Sequence, residues 1–304
     1  MVKRMPNHPG TGFGTRGHPP SLSAGGDAVD DAWHLEYTVD FTKQSAGAIA
    51  HDASIALGAQ TGDGSTANWL AEEDDAAGDD NDEIGTIEWA SSSNGLKITP
   101  LGTSTNIHSS LNAPCFSVAL TDCIPNFTNR DVICVQVFTA EPVTPAAAYD
   151  GYGIVLYEPG AILDDVTQWV YYRMFYNGGA RRWRVAGVAG GGTEVSDAGG
   201  LGTVPRSMEL VLYMTGGHAV AAHSTSTNTN AVPLDTIAVD PAVVCTSVVA
   251  GTNGSFSEPS WKLVPATLRL GLSTFNDSSA TDPFYNYFTS VNIYRLAGRA
   301  GGAD

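Results

Sequence analysis

Residues 266–296 read ATLRLGLSTFNDSSATDPFYNYFTSVNIYRL, and this stretch decides the fold. At its start Leu268, Leu270 and Leu272 alternate with other residues, which is the two-residue period of a strand with one buried face. A polar loop follows, and a second strand runs to residue 296, with Val291 and Ile293 on its buried face. We therefore expect two long strands that close a β-sheet.

The composition of the whole chain favours the same architecture. Hydrophobic residues make up 42% and charged residues 15% of the 304 residues, which include 34 Gly and 16 Pro. Frequent turns and few long helices are typical of such a composition. Strand-like runs separated by turn residues recur along the chain, and the clearest are 33–42, 84–91, 131–139, 151–157 and 208–214. The sequence predicts an all-β protein, an antiparallel two-sheet jelly-roll sandwich over residues 31–297.

One predicted hairpin is rich in aromatic and arginine residues. The run QWVYYRMFY at residues 168–176 turns at an Asn-Gly-Gly and returns through 182–188. Aromatic and Arg side chains dominate binding hot spots, so this hairpin is a candidate ligand site. Its candidate residues are Trp169, Tyr171, Arg173 and Trp183. Burial in the core is the alternative for the aromatic residues.

Two polar segments are further candidates for ligands or a cation. Residues 43–83 are interpreted as a long acidic insertion, and the end of this segment could offer Ca²⁺ several carboxylates. The candidate metal ligands are Asp79, Asp80, Asp82 and Glu83. A loop in the C-terminal stretch could bind Ca²⁺ or a hydroxyl-rich ligand through Asn276, Asp277 and Asp282. Solvated loops without a ligand are the alternative for both segments, and no other cofactor is expected.

The charge distribution separates the N-terminal segment from the rest. The formal net charge is −17, whereas residues 1–30 contain several basic residues among Pro, Gly and Ser. We expect an extended N-terminal arm at 1–30 and a flexible tail at 298–304. Such an acidic protein repels phosphate backbones, so nucleic acid is not an expected partner. No apolar run approaches the ~20 residues of a membrane span, and the N-terminus lacks the apolar region of a signal peptide.

The order of these elements resembles the concanavalin A-like (laminin-G-like) lectin and glucanase fold. The resemblance covers about residues 150–297, through DGYGIVLYEPG, the aromatic hairpin, the strand pair MELVLYMTGGHAVAAHS and residues 266–296. It implies two curved antiparallel sheets, and many members of this fold bind carbohydrate or cleave glycosides. Fold alone does not transfer that activity.

The catalytic motif of the laminarinase-type members is not reproduced in this chain. Those members place Glu, an apolar residue, Asp, an apolar residue and Glu on one strand, so that two carboxylates flank the glycosidic bond. The nearest match runs from Glu83 to Glu88, and Gly85 stands at the place of the Asp. The sequence also lacks HExxH, GxSxG and P-loop motifs. We therefore expect a protein that is not an enzyme.

An acidic sandwich with a basic arm and no catalytic motif is similar to bacteriophage capsid-decoration or head/tail accessory proteins. This similarity implies a virion structural protein that is made in the host cytoplasm. Its arm, residues 1–30, would dock on the major capsid protein or on further copies of this chain, and its sandwich would meet glycans. The alternative is a carbohydrate-binding or glucan-cleaving protein of the concanavalin A-like class. A cell-surface adhesion module is a third interpretation.

Overall fold

The computed structural model describes thirteen segments of the chain. They are residues 33–72, 85–91, 94–100, 113–140, 150–158, 168–177, 180–189, 197–200, 207–214, 218–224, 252–257, 264–275 and 284–296. The chain divides at residue 30 into two units, and all described residues belong to the second.

Two antiparallel sheets contain nearly all of the described structure. The first sheet has ten strands: β1 Trp33–Asp40, β2 Gly47–Ala48, β4 Ala59–Gln60, β6 Gly85–Trp89, β7 Leu96–Pro100, β9 Val132–Thr139, β14 Ser207–Tyr213, β15 His218–Ser224, β16 Thr252–Ser257 and β18 Asn286–Leu296. The second has eight: β3 Ser54–Leu57, β5 Ala67–Glu72, β8 Cys115–Ala119, β10 Gly151–Glu158, β11 Gln168–Asn177, β12 Ala180–Ala189, β13 Asp197–Gly200 and β17 Arg269–Phe275. A 3₁₀ turn at Phe41–Lys43 and a short helix, α1 Leu120–Cys123, complete the fold.

Strand β18 organises the first sheet. It pairs with β9 along one side, while β7 and β1 pair in succession along its other side. The order of the second sheet is β13-β12-β11-β10-β17-β8-β5-β3. Every pairing is antiparallel, so the predicted all-β antiparallel jelly-roll class is confirmed.

The hydrophobic core lies between the two sheets. Trp69 of β5 stacks on Phe116 of β8 with 5.1 Å between the ring centroids. The Trp69 indole N–H donates a 2.8 Å hydrogen bond to the hydroxyl of Tyr37 in β1, and that hydroxyl donates to the Leu57 carbonyl. Both polar groups are thereby satisfied in a fully buried setting. The two sheets are held together by apolar burial and by this hydrogen-bond chain.

The C-terminal stretch confirms its predicted core and differs in its pairing. Leu268, Leu270, Leu272, Val291 and Ile293 are all fully buried in the core. However, β17 lies in the second sheet between β10 and β8, whereas β18 lies in the first. The two strands therefore do not pair with each other. An alternating pattern determines which face of a strand is buried, and it leaves the partner strand undetermined.

The segment interpreted as an acidic insertion contributes to both sheets over residues 43–72. Strands β2, β3, β4 and β5 lie within it. Ala67, Trp69 and Ala71 are fully buried at alternating positions of β5, which explains why this stretch forms a strand. Alanine gives a weak apolar signal, so the alternation is easily overlooked in the sequence. The acidic end, residues 73–84, lies outside the described residues.

A β-bulge in β1 changes which side chains face the core. The register shifts between Leu35 and Tyr37. Tyr37 and Val39 lie in the main core, while Leu35 packs with Trp33 against a second apolar cluster on the other face of the sheet. Unbroken alternation from Leu35 would have put all three on one face. A bulge adds one residue and so reverses the faces beyond it.

The predicted arm at 1–30 and tail at 298–304 lie outside the described residues, and both stay predictions. Within the segments that the structure describes, no helix is long and apolar enough to cross a bilayer.

Candidate functional site

A row of polar side chains crosses four strands on the outer face of the first sheet, the face turned away from the second sheet. Thr38 of β1, Asn292 of β18, Gln136 of β9 and Glu209 of β14 are direct cross-strand neighbours. The Thr38 hydroxyl donates to Asn292 Oδ1 at 2.8 Å, and Asn292 Nδ2 donates to Gln136 Oε1 at 3.2 Å. Gln136 Nε2 donates to Glu209 Oε1 at 2.6 Å. We call these four residues the polar ladder.

The polar ladder ends at a surface pocket between β1 and β18. The pocket encloses about 540 Å³, a size within the range of ~300–1,000 Å³ for small-molecule sites. We call it the Thr38 pocket, and it is lined by Leu35, Thr38, Val39, Asp40, Thr42, Lys43, Thr289, Ser290, Asn292 and Tyr294. Most of these residues carry a hydroxyl, amide or charged group, and Leu35 and the Tyr294 ring add apolar surface.

Asp40 supplies a carboxylate to the lining of the Thr38 pocket. Its Oδ1 accepts hydrogen bonds from the backbone N–H and the hydroxyl of Thr42, at 3.0 and 2.6 Å. Its Oδ2 lies 3.4 Å from the Lys43 ammonium, and the Lys43 side chain is 77% exposed. The 3₁₀ turn that follows β1 therefore begins with a side-chain cap, which holds the Asp40 carboxylate at the pocket.

A partly exposed pair of tyrosines lies on the same outer face, next to the start of β18. The rings of Tyr285 and Tyr287 meet edge to face, with 5.4 Å between centroids. The Lys97 ammonium lies 4.9 Å from the Tyr285 ring centroid and 2.6 Å from Glu88 Oε1. Tyr287 is two residues from Thr289 of the pocket, roughly 7 Å along an extended strand. The tyrosine pair and the Thr38 pocket thus follow one strand.

The outer face of the second sheet holds a different cluster, which we call the Glu72 network. Tyr157 of β10 donates a 2.7 Å hydrogen bond to Glu72 Oε2 of β5. Arg269 of β17 donates to the Ser117 hydroxyl of β8 through Nε at 3.1 Å and Nη2 at 2.8 Å. Cys115 lies directly opposite Glu72 and is fully buried. Four neighbouring strands therefore bring a carboxyl, a phenol, a guanidinium and a thiol together.

Burial dominates the acid–base properties of the Glu72 network. Glu72 is 5% exposed, and this desolvation raises the pKa of its carboxyl, while the hydrogen bond from Tyr157 and the charge of Arg269 lower it in part. Burial also raises the pKa values of Tyr157 and Cys115 well above their ordinary values. Burial thus opposes the charged form of all three groups.

The predicted aromatic hairpin lies in the second sheet as β11 and β12. Val170, Tyr172 and Met174 face the core, so Tyr171 and Arg173 lie on the outer face. Both are buried, and the Arg173 guanidinium lies 4.8 Å from the Tyr171 ring centroid and 5.0 Å from that of Phe275. Trp169 and Trp183 are placed in β11 and β12, and their side chains lie outside the description. Ligand binding by these residues stays a prediction.

The predicted loop sites fall outside the described residues. These are the metal candidates Asp79, Asp80, Asp82 and Glu83 and the ligand candidates Asn276, Asp277 and Asp282. Ca²⁺ binding therefore stays a prediction. Among the residues that the structure does describe, no three His, Cys, Asp or Glu side chains lie close enough together to hold a metal ion.

Sequence reasoning missed the polar ladder and the Thr38 pocket. Asn292 is predictable as an outward-facing residue of its strand, but polar residues on an outward face are usually solvated and give no site signal. The ladder depends on the register of β14, β9, β18 and β1, which connects residues more than 250 positions apart in the case of Thr38 and Asn292. Only the pairing of distant strands reveals it.

No protein-family model and no curated protein sequence matches the chain. Several solved structures are similar to it. An endo-1,3-beta-glucanase from Streptomyces sioyaensis has a TM-score of 0.46 at 11% identity, over 93% of this chain and 99% of that one. The alginate lyase Aly36B, in complex with an alginate tetrasaccharide, has a TM-score of 0.40 at 11% identity, over 87% and 98%. The kappa-carrageenase from Pseudoalteromonas carrageenovora has a TM-score of 0.38 at 8% identity, over 92% and 99%.

These findings correct one prediction and leave another without support. The prediction that the protein is not an enzyme is overturned, because the similar structures are a glucanase, a lyase and a carrageenase. At 8% to 11% identity the likeness is one of fold. The likeness covers the two-sheet antiparallel sandwich, and nothing among these structures supports the virion role. Docking on capsid proteins and the virion location stay predictions.

Proposed function

We propose that the protein binds carbohydrate on the outer face of its first sheet, along β18. The observation that carries this proposal is the succession of the tyrosine pair and the Thr38 pocket on one strand. Aromatic rings pack against the apolar faces of sugar rings, and hydroxyl, amide and carboxylate groups bind sugar hydroxyls. This surface offers both kinds of contact, one after the other along β18.

The length of the surface favours an oligosaccharide over a single sugar. From Tyr285 to Asn292 the chain advances seven residues, roughly 23 Å in an extended strand. Tyr285 and Tyr287 would stack against one part of the ligand. Thr38 and Asp40 would accept hydrogen bonds from the hydroxyl groups of another part. The polar ladder holds Asn292 and Thr38 in position before binding, which reduces the entropy cost of ordering them.

The test is equilibrium binding of the full-length chain to a glycan array, followed by titration of a glycan that binds. We expect Tyr287→Ala and Thr38→Val each to raise the Kd about tenfold, the equivalent of ~1.4 kcal/mol. Thr86→Val is the matched control, because Thr86 is an exposed threonine of the same sheet that does not line the pocket. A chain that binds no glycan, or variants that bind as the control does, would contradict the proposal.

A second candidate function is cleavage of a polysaccharide, which the Glu72 network favours. A buried carboxyl with a raised pKa beside a phenol and a guanidinium is the kind of group that serves as a general acid. Release of new reducing ends from laminarin, alginate and carrageenan measures this activity. We expect Glu72→Gln to abolish it and Glu88→Gln to retain it, because Glu88 is paired with Lys97 on the other sheet. Activity that survives Glu72→Gln would exclude Glu72 as the acid.

A further inference from the structure

The hydrogen bonds of the polar ladder run in one direction. Gln136 Nε2 donates its hydrogen bond to Glu209 Oε1, and a carboxylate in its ionised form can only accept. The amide of Gln136 then has its oxygen toward Asn292 Nδ2, and the oxygen of Asn292 faces Thr38. Thr38 must therefore donate its only hydroxyl proton to Asn292. A carboxylate three strands away thus determines the orientation of the Thr38 hydroxyl.

Three polar groups of the Thr38 pocket, those of Thr38, Thr42 and Asp40, consequently present acceptors to a ligand. The Thr38 hydroxyl has given its proton to Asn292, and the Thr42 hydroxyl has given its proton to Asp40. Toward a ligand, both hydroxyls can therefore act only as hydrogen-bond acceptors, through their lone pairs. The ionised Asp40 carboxylate has only acceptor oxygens. The pocket also contains donors, namely the Lys43 ammonium beside Asp40, on a side chain that is 77% exposed, and the hydroxyls of Thr289, Ser290 and Tyr294.

A ligand that suits these three acceptors supplies hydrogen-bond donors and no negative charge. Sugar hydroxyls and the ammonium group of an amino sugar are donors, whereas carboxylate and sulfate groups can only accept. An anionic sugar would also face the Asp40 carboxylate on a chain of net charge −17. Opposed acceptors and like charges both weaken its binding.

We propose that the Thr38 pocket selects neutral or amino sugars against acidic ones, and that the direction of the polar ladder is the cause. This inference rests on the proposed function, because it concerns the same site. Glu209 is the positioning residue: it lies on β14, does not line the pocket, and acts through Gln136 and Asn292.

The experiment titrates the full-length chain with three probes of equal length: laminarin, chitosan and alginate oligosaccharides. We expect the neutral and the cationic probes to bind at least about tenfold more tightly than the anionic probe. Alginate that binds as tightly as the neutral probe would overturn this inference and leave the proposed function intact. Binding of none of the three would overturn both.

Two variants distinguish the effect of the polar ladder on selectivity from the effect of the charge of Asp40. Glu209→Gln keeps the shape of the side chain and can donate as well as accept, so the direction of the ladder is no longer imposed. We expect it to reduce the ratio of neutral to anionic affinity several-fold, although no contact with the ligand is altered. Asp40→Asn, which replaces a charged acceptor by a donor at the pocket itself, should reduce the ratio further. A ratio that stays at the wild-type value in folded Glu209→Gln protein, verified by its melting curve, would show that the ladder does not govern selection.

Discussion

The outer faces of the two sheets carry polar clusters that end in different ways. On the first sheet the polar ladder begins at Glu209, which is 6% exposed, and ends at Thr38, which is exposed at the rim of a pocket. On the second sheet Glu72 and Tyr157, at 5% and 0% exposure, bond to each other. Buried polar groups need partners in both places. The comparison shows that the ladder ends at an exposed hydroxyl, whereas Glu72 and Tyr157 of the Glu72 network are buried and bonded to each other.

The outer face of the second sheet also differs from that of the first in being closely packed. A β-carbon at Gly271 would lie 2.4 Å from Cys115 Sγ and 2.8 Å from Val155 Cγ1. The absence of a side chain at residue 271 is what lets Cys115 and Val155 lie over the strand. A face packed in this way excludes water from Glu72 and explains the raised pKa of its carboxyl.

Gly271→Ala should have the largest effect, since its added methyl must displace buried atoms. We expect a loss of about 1–3 kcal/mol or more in the free energy of unfolding, measured by urea denaturation. Gly47→Ala is the matched control on the first sheet, because a β-carbon there meets nothing within 4 Å. Equal effects of the two substitutions would show that the second face is not close-packed.

Tyr157→Phe should have the next largest effect, because it removes the donor to a buried carboxyl oxygen. The expected loss of stability is about 1–3 kcal/mol. Thr38→Val removes a hydroxyl at the exposed end of the polar ladder and should cost no more than about 1 kcal/mol. Chemical denaturation of both variants measures the two losses of stability. A larger loss for Thr38→Val than for Tyr157→Phe would contradict this comparison of the two faces.

The pH dependence of stability tests the buried state of Glu72 and is the smallest effect. Its folded-state pKa is raised above the unfolded value of about 4.3, so the folded protein binds this proton more tightly. The stabilisation is present below the unfolded pKa and is lost as the pH rises through the folded pKa. The stability of the wild type relative to Glu72→Gln should therefore fall as the pH rises from about 4 through the folded-state pKa. A relative stability that rises with pH would mean that Arg269 and Tyr157 outweigh burial.

Much of the fold was predictable from periodicity, and little of the site was. The buried leucines of β17 and the buried Val291 and Ile293 of β18 follow from alternation alone. The placement of these two strands in different sheets does not, because alternation carries no information about partners. The face of Leu35 was also unpredictable, since a one-residue bulge in β1 reverses it.

The polar ladder escaped prediction for a related reason. Thr38, Asn292, Gln136 and Glu209 are unremarkable polar residues in four separate strands of the sequence, and only register makes them a ladder. The Glu72 carboxyl appears in the sequence as the first part of an acidic run. Its neighbours Trp69 and Ala71 on β5 place it instead against Tyr157 and Cys115.

Titration of a glycan that binds the full-length chain, with one variant from each outer face, tests the central claim most directly. Thr38→Val represents the first face, and Arg269→Gln represents the Glu72 network of the second. The account predicts that Thr38→Val raises the Kd about tenfold while Arg269→Gln leaves it unchanged. A Kd that rises for Arg269→Gln and stays constant for Thr38→Val would contradict the account and move the carbohydrate site to the second sheet.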